Sequence, residues 1–237
     1  MNKKMNIADK WNNSYNRNEN HLFYPSDEVV KFLARNIRRK TGLNSYKDLD
    51  NNLNLKKIVC VGCGIGRHIK FCDEMGLDSY GTDLSSSAIE KAKLILKSNN
   101  RNYDISKIIQ SNITKLPWKN NFFDYSISDS VLDSMPYKVA QSGINEIHRI
   151  LKTDGIFYCS FISPLGTSLG ENYDGEIIVN DEFEKDTVQS YFNYEKIQNL
   201  LNPFFKIISC ELNSRLDFSG KNVGESRWHV VSKKNKL

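Results

Sequence analysis

Two stretches of the chain combine residue types and spacings suited to gripping a ligand. The first is Val59-Cys60-Val61-Gly62-Cys63-Gly64-Ile65-Gly66, a β-branched run entering a G-x-G-x-G turn, followed by Ile69 and Phe71 in a helical stretch. Glycines without a Cβ let the backbone pass close beneath a ligand, and amides at a helix start favour polar or anionic groups. The second is Gly81-Thr82-Asp83-Leu84-Ser85. It ends the next apolar run with a carboxylate about twenty residues on, where both hydroxyls of a ribose could donate to it. Each has a plainer reading alone: a connecting turn for the glycines, a helix cap for Asp83 or Ser85. Together they point to a nucleotide-like ligand. A diphosphate cofactor normally wants G-x-G-x-x-G, and Arg67 stands where the last glycine belongs. The turn therefore suits a nucleoside without a diphosphate better than a nicotinamide dinucleotide.

These residues need a sheet to hold them. From Lys57 onward, runs rich in Val, Ile and Phe alternate with helical stretches, the signature of βαβ units around a parallel sheet. Strands are expected at residues 58–61, 79–82, 107–110, 123–128 and 156–161. Between them Ala88, Ile89, Ala92 and Ile95 share one helical face, as do Ala140, Ile144, Ile147 and Leu151. Ahead of the sheet, Pro25-Ser26 opens a helix with Val29, Val30, Leu33 and Ile37 as its stripe. Residues 164–186 are polar, locally acidic and hold three glycines, so they read as an excursion from the sheet. A helix at 194–201 and strands near 205–212 and 226–232 complete it. The expected division is a helical amino-terminal lid (1–45), a ligand-binding core (46–163), a substrate-side excursion (164–190) and a carboxy-terminal helix with the last two strands (191–237).

Bulk properties agree with one generous domain. At 237 residues with 39% hydrophobic and 26% charged residues, the chain can bury a core and is not disordered throughout. The amino terminus leads into polar sequence, and no run approaches a membrane span, so a cytoplasmic protein is expected. Five cysteines scattered through apolar segments fit reduced thiols. Cys60 and Cys63 form a C-x-x-C with no second pair, and no metal is expected. The net charge of +5 is modest and its lysines are dispersed, apart from a basic end at Lys233-Lys234-Asn235-Lys236. A nucleic-acid partner is disfavoured, since a binding face usually shows a stripe of charge.

Further on, Ser111-Asn112-Ile113-Thr114-Lys115-Leu116-Pro117-Trp118, then Phe122-Phe123-Asp124-Tyr125-Ser126-Ile127-Ser128-Asp129-Ser130-Val131-Leu132, then Arg149-Ile150-Leu151-Lys152-Thr153-Asp154-Gly155 follow in order. With the glycine turn and Asp83, this set resembles the class I S-adenosylmethionine-dependent methyltransferase family over about residues 50–165. The resemblance implies a Rossmann-like α/β fold with a seven-stranded, mostly parallel sheet, helices on both faces and the last strand antiparallel. By that likeness Gly62, Cys63, Gly64 and Gly66 lie along the methionine part of the cofactor, Asp83 holds the ribose and Leu84 packs on adenine. Asn112 bonds the adenine amino group with Ile113 on the ring, and Ser128 and Asp129 close the methionine side. Trp11, Tyr15 and Tyr24 match aromatic residues that cover the cofactor in many bacterial members, although they could equally anchor a core.

The implied activity is methyl transfer to an oxygen or nitrogen of a small molecule, an anionic or sugar-related bacterial metabolite by analogy. Such an acceptor often needs a base within hydrogen-bond reach. The family's frequent acidic-then-histidine pair after the fourth strand appears here as Asp133-Ser134, which leaves Asp133 as the candidate, ahead of His21, His148 and His229. A methyltransferase acting on RNA or protein, and a cofactor-binding protein without catalysis, are the alternatives. No N-P-P-Y-type tetrapeptide occupies the place of Ser128-Asp129-Ser130-Val131. Oligomeric state is not legible.

Overall fold

The alternating runs form a three-layer α/β fold in the computed structural model, which describes residues 6–49, 56–215 and 226–235. Helices α1 (Ile7–Asn16) and α2 (Asp27–Asn36) precede a hairpin of β1 (Arg38–Lys40) and β2 (Tyr46–Asp48). Next come β3 (Lys57–Val61), α3 (Arg67–Glu74), β4 (Asp78–Asp83), α4 (Ser86–Asn99), β5 (Ile108–Gln110) and β6 (Phe123–Ser128). Helix α5 (Tyr137–Ile150) leads into the long β7 (Leu151–Ile162). A hairpin of β8 (Glu176–Ile178) and β9 (Val188–Ser190), then α6 (Tyr194–Leu201), precede β10 (Phe205–Ser214) and β11 (Ser226–Lys234).

Seven strands form one sheet in the order β10-β11-β7-β6-β3-β4-β5. The five from β7 to β5 run parallel, while β11 is antiparallel to both β7 and β10, as the resemblance implies for the last strand. Alternation along β3 divides the core. Ile58 and Cys60 pack with Phe32 of α2, Ile69 of α3 and Leu96 of α4, whereas Val59 and Val61 join Ile144 of α5 and Ile197 of α6. Helices therefore cover both faces, which is why β3 reads as a continuous apolar run. The chain winds outward from β3 to β4 and β5, then returns to place β6 on the other side of β3. That reversal opens a crevice at the carboxyl ends of β3 and β6.

Several local expectations shift. On α2, Phe32 is buried and Val30 turns outward, because Val29, Phe32, Leu33 and Ile37 keep the helical spacing toward the sheet. On α4, Leu96 completes the buried face, and Ile95 leans into a separate cluster with Trp11 and Tyr15. Leu151 is not the last turn of α5; it adopts extended backbone and starts β7. Residue 107 ends a 3-10 turn before β5. The excursion forms a small sheet of its own from β8 and β9. The boundary at 45/46 falls inside the β1–β2 hairpin, and α2 shares the core cluster of Ile58 and Cys60. Among the described residues ahead of α2, Tyr15 and Ser26 reach over the crevice. Among the described residues, no helix is long and apolar enough to cross a membrane.

Candidate active site at the carboxyl edge of the sheet

After Val61 the chain turns through Gly62 and Gly64, whose φ angles of +71° and +54° are left-handed and favour glycine. Space forbids a side chain as well: a Cβ on Gly62 would lie 2.4 Å from Val131, and one on Gly64 would lie 2.7 Å from the Tyr15 hydroxyl. Both glycines remain partly open along the crevice. Gly66 is buried, and a Cβ there would approach Ala92 of α4 to 3.2 Å, so it seats the turn on that helix. Cys63 also points inward, its thiol against Gly81 and its amide donating to the Thr82 carbonyl at 2.9 Å. Burial pushes that thiol's pKa well up. Gly66 and Cys63 shape the turn from behind.

Asp83 closes β4 and ties the turn together. Its Oδ2 accepts the Gly64 amide at 2.8 Å and its Oδ1 the Ser85 amide at 2.9 Å. Burial raises its pKa, with the Ser85 and Gly64 amides pulling the other way. A carboxylate offers about four lone-pair sites, so two bonds leave capacity for hydroxyl donors. Ser85 caps α4, accepting from the Ala88 amide at 3.1 Å. Leu84 is half-buried beside Asp83. Past β5, Asn112 is exposed in an Asx turn, accepting from the Thr114 amide and hydroxyl at 3.0 Å each. Ile113 is half-buried over Gly143 of α5.

At the end of β6, Ser128 is buried with its hydroxyl unpartnered, and Asp129 becomes a hub. Its Oδ1 accepts from the Ser160 hydroxyl at 2.7 Å, and its Oδ2 from the Ser26 hydroxyl at 3.0 Å and the Arg67 guanidinium at 3.3 Å. Burial alone would raise its carboxyl. The neighbouring His68, Ser160, Arg67 and Arg227 outweigh that and hold it below its ordinary value. The His68 Nε2 accepts the Ser26 amide at 3.2 Å, and burial pushes this imidazole down to about 4. Ser130 follows with φ +59°, a strained position held by its amide's bond to the Ser160 hydroxyl at 2.8 Å.

Asp133 sits deeper. It is 0% exposed, and its Oδ2 accepts from the Ile162 amide at 2.7 Å and the Arg227 guanidinium at 2.8 Å. Its Oδ1 is buried without a partner. Burial raises its pKa, opposed by Arg227. Enclosed in this way, the carboxylate has the geometry of an anchor for β7 and β11, not of a base reaching into an open crevice.

The amino-terminal stretch crosses these groups from α4 to β6. Asn12 accepts from the hydroxyls of Ser85 and Ser86 at 2.7 and 3.3 Å, Lys91 donates to the Tyr15 carbonyl, and Ser26 reaches Asp129. Tyr15 is buried with Ile65 and Ala88 while its hydroxyl lies over Gly64, so it anchors and covers at once. Trp11 joins that cluster as an anchor, whereas Tyr24 is 84% exposed and covers nothing. The excursion meets the same stretch: the Glu184 amide donates to Glu19 at 3.0 Å, and Asn20 donates to Glu184 Oε1 at 2.9 Å. Sequence reasoning missed Ser26, Ser160, Glu184 and Arg227, since none belongs to a spaced motif. Of the histidines, His148 packs against Phe204 and Phe205, His229 pairs with the Tyr158 hydroxyl at 2.9 Å, and His21 lies 2.8 Å from Lys91.

Comparison with known proteins agrees with this geometry. Residues 59–159 match the model of a methyltransferase domain. An uncharacterized protein of Haemophilus influenzae is 29% identical over 112 residues, 47% of this chain; the match spans 44% of that relative's length. A SAM-dependent methyltransferase of Methanosarcina mazei has a similar fold, with a TM-score of 0.63 and 19% identity over 79% of this chain and 96% of that one. The magnesium protoporphyrin IX methyltransferase of Synechocystis PCC 6803, solved with bound SAH, gives a TM-score of 0.61 and 16% identity over 99% and 90% of the two chains. Residues 59–159 thus match a methyltransferase domain, and the open glycine turn and sheet order around them are similar to those of S-adenosylmethionine-dependent methyltransferases.

Proposed function

We propose that the chain transfers the methyl group of S-adenosylmethionine to an oxygen or nitrogen of a small molecule, such as a sugar-related metabolite. The observation that carries this reading is the tie of Asp83 to Gly64, which sets a carboxylate beside bare, crevice-facing backbone. Gly62 and Gly64 lie under the methionine part, Asp83 takes the ribose hydroxyls, and Leu84 and Ile113 flank the adenine with Asn112 at its edge. Arg67 and Asp129 supply opposite charges for the methionine carboxylate and ammonium. When bound, the cofactor supplies an electrophilic methyl carbon on a sulfonium sulfur. The stretch through Tyr15 and Ser26 aligns the reactants and keeps water out. A small acceptor is supported by the likeness to a methyltransferase named for magnesium protoporphyrin IX.

Calorimetry with S-adenosylmethionine and NAD side by side tests the cofactor, and a panel of acceptors read by S-adenosylhomocysteine release tests the reaction. Asp83→Asn should weaken S-adenosylmethionine binding about tenfold or more, ~1–3 kcal/mol, as a charge-assisted hydrogen bond is lost. Unchanged affinity would remove Asp83 from the ribose. Binding of NAD alone would overturn the reading.

A further inference from the structure

Glu184 stands where the excursion meets the overlying amino-terminal stretch. Its Oε1 is anchored by the Asn20 side chain at 2.9 Å, and its own amide is fixed on Glu19 at 3.0 Å. No described residue hydrogen-bonds its Oε2. The backbone there has φ +55°, a conformation a glutamate keeps only when its surroundings over-determine it. The Asp133–Arg227 pair lies near enough for its charges to act on Glu184, and Asp133 Oδ1 is wholly buried and unpartnered. Tyr15, whose hydroxyl is over Gly64, feels the charges of both Asp83 and Glu184.

Resting on the methyl-transfer reading, we propose that Glu184 takes the proton from the acceptor through its open Oε2, and selects acceptors that carry an O–H or N–H and no negative charge. The acceptor's lone pair forms the bond to the methyl carbon as the carbon–sulfur bond breaks and its electron pair returns to sulfur. The acceptor's proton passes to Glu184 and then to water. The neighbours suit this role. Burial raises the Glu184 pKa, as do Asp133 and Glu19, while Asn20 and Arg227 oppose. A carboxylate raised in this way is a stronger base at neutral pH. Of the charges acting on Glu184, Asp133 and Glu19 outweigh Arg227, even with Arg17 paired to Glu19, and this disfavours phosphate or carboxylate acceptors.

The test uses the full-length enzyme with S-adenosylhomocysteine bound. Carbon-13 carboxyl titration, with the signal assigned through Glu184→Gln, should place the Glu184 midpoint above the ordinary 4.5, and Glu19→Gln should lower it. Against a panel of amines and polyols beside carboxylates and phosphates, turnover should fall in the first group. There Glu184→Gln should cut it about a hundredfold or more and abolish the acid limb of the pH profile. Glu184→Asp should restore part of the rate, and S-adenosylhomocysteine affinity should stay within about twofold of the parent by calorimetry, since Glu184 contacts the acceptor side only. An ordinary midpoint, an intact rate and pH profile in Glu184→Gln, or turnover confined to anionic acceptors would each overturn the role. If no acceptor in the panel reacts, the titration decides alone. Absence of S-adenosylhomocysteine binding would instead overturn the methyl-transfer reading, and this role with it.

Discussion

Gly64→Ala probes the contact between the overlying stretch and the glycine turn. Its φ of +54° costs an L-residue about 1–2 kcal/mol. The added Cβ would also stand 2.7 Å from the Tyr15 hydroxyl, and overpacking of that kind costs about 1–3 kcal/mol. The total expected loss is about 2–5 kcal/mol. Tyr15→Phe removes the offending oxygen, and the ring carbon next in line is 3.5 Å away, an ordinary contact. That hydroxyl makes no hydrogen bond among the described residues, so Tyr15→Phe itself should cost little. In the Phe background Gly64→Ala should therefore cost only the backbone share, about 1–2 kcal/mol. Urea unfolding of the four proteins gives the coupling directly, expected at about 1–3 kcal/mol. Equal costs in both backgrounds would show that Tyr15 does not rest on Gly64, and the amino-terminal stretch would lose its place over the crevice.

Other consequences can be measured separately. Arg227→Met leaves the Asp133 carboxylate buried without its cation and should destabilise by about 3–5 kcal/mol in urea; a loss below 1 kcal/mol would contradict the pairing. His68 titrates near 4 when folded against 6.5 when free, so the folded state binds fewer protons between those values. Its contribution to stability is whole above pH 6.5 and is lost as pH falls toward 4. Melting temperatures from pH 7.5 to 4.5 should decline less steeply in His68→Gln than in the parent; identical slopes would remove His68 from the acid response.

The legible features share one property: their chemistry is local. Gly62 and Gly64 sit two residues apart and Asp83 ends the adjacent strand, so period-two strands and a glycine turn were enough to bring them together. The less legible features fail for identifiable reasons. Helical periodicity marks a stripe on α2 but cannot tell Val30 from Phe32 until the sheet supplies a direction. The β8–β9 hairpin joins strands of three residues each, separated by nine residues and too short for an alternation to announce them. Asp133 matches a family position for a base, yet only packing reveals that β7 and β11 enclose it.

The amino-acid sequence by itself determined a parallel α/β core, the bare turn at its first long strand and the carboxylate that faces it, because backbone conformation and strand ends depend on near neighbours. Tertiary structure alone decided the company those groups keep. Ser26, Asp129, Ser160, Glu184 and Arg227 come from distant parts of the chain and meet only because strand order carries them to one edge of the sheet. Burial then divides their labour: desolvation and a paired guanidinium make Asp133 an anchor, while an open oxygen leaves Glu184 free to accept a proton.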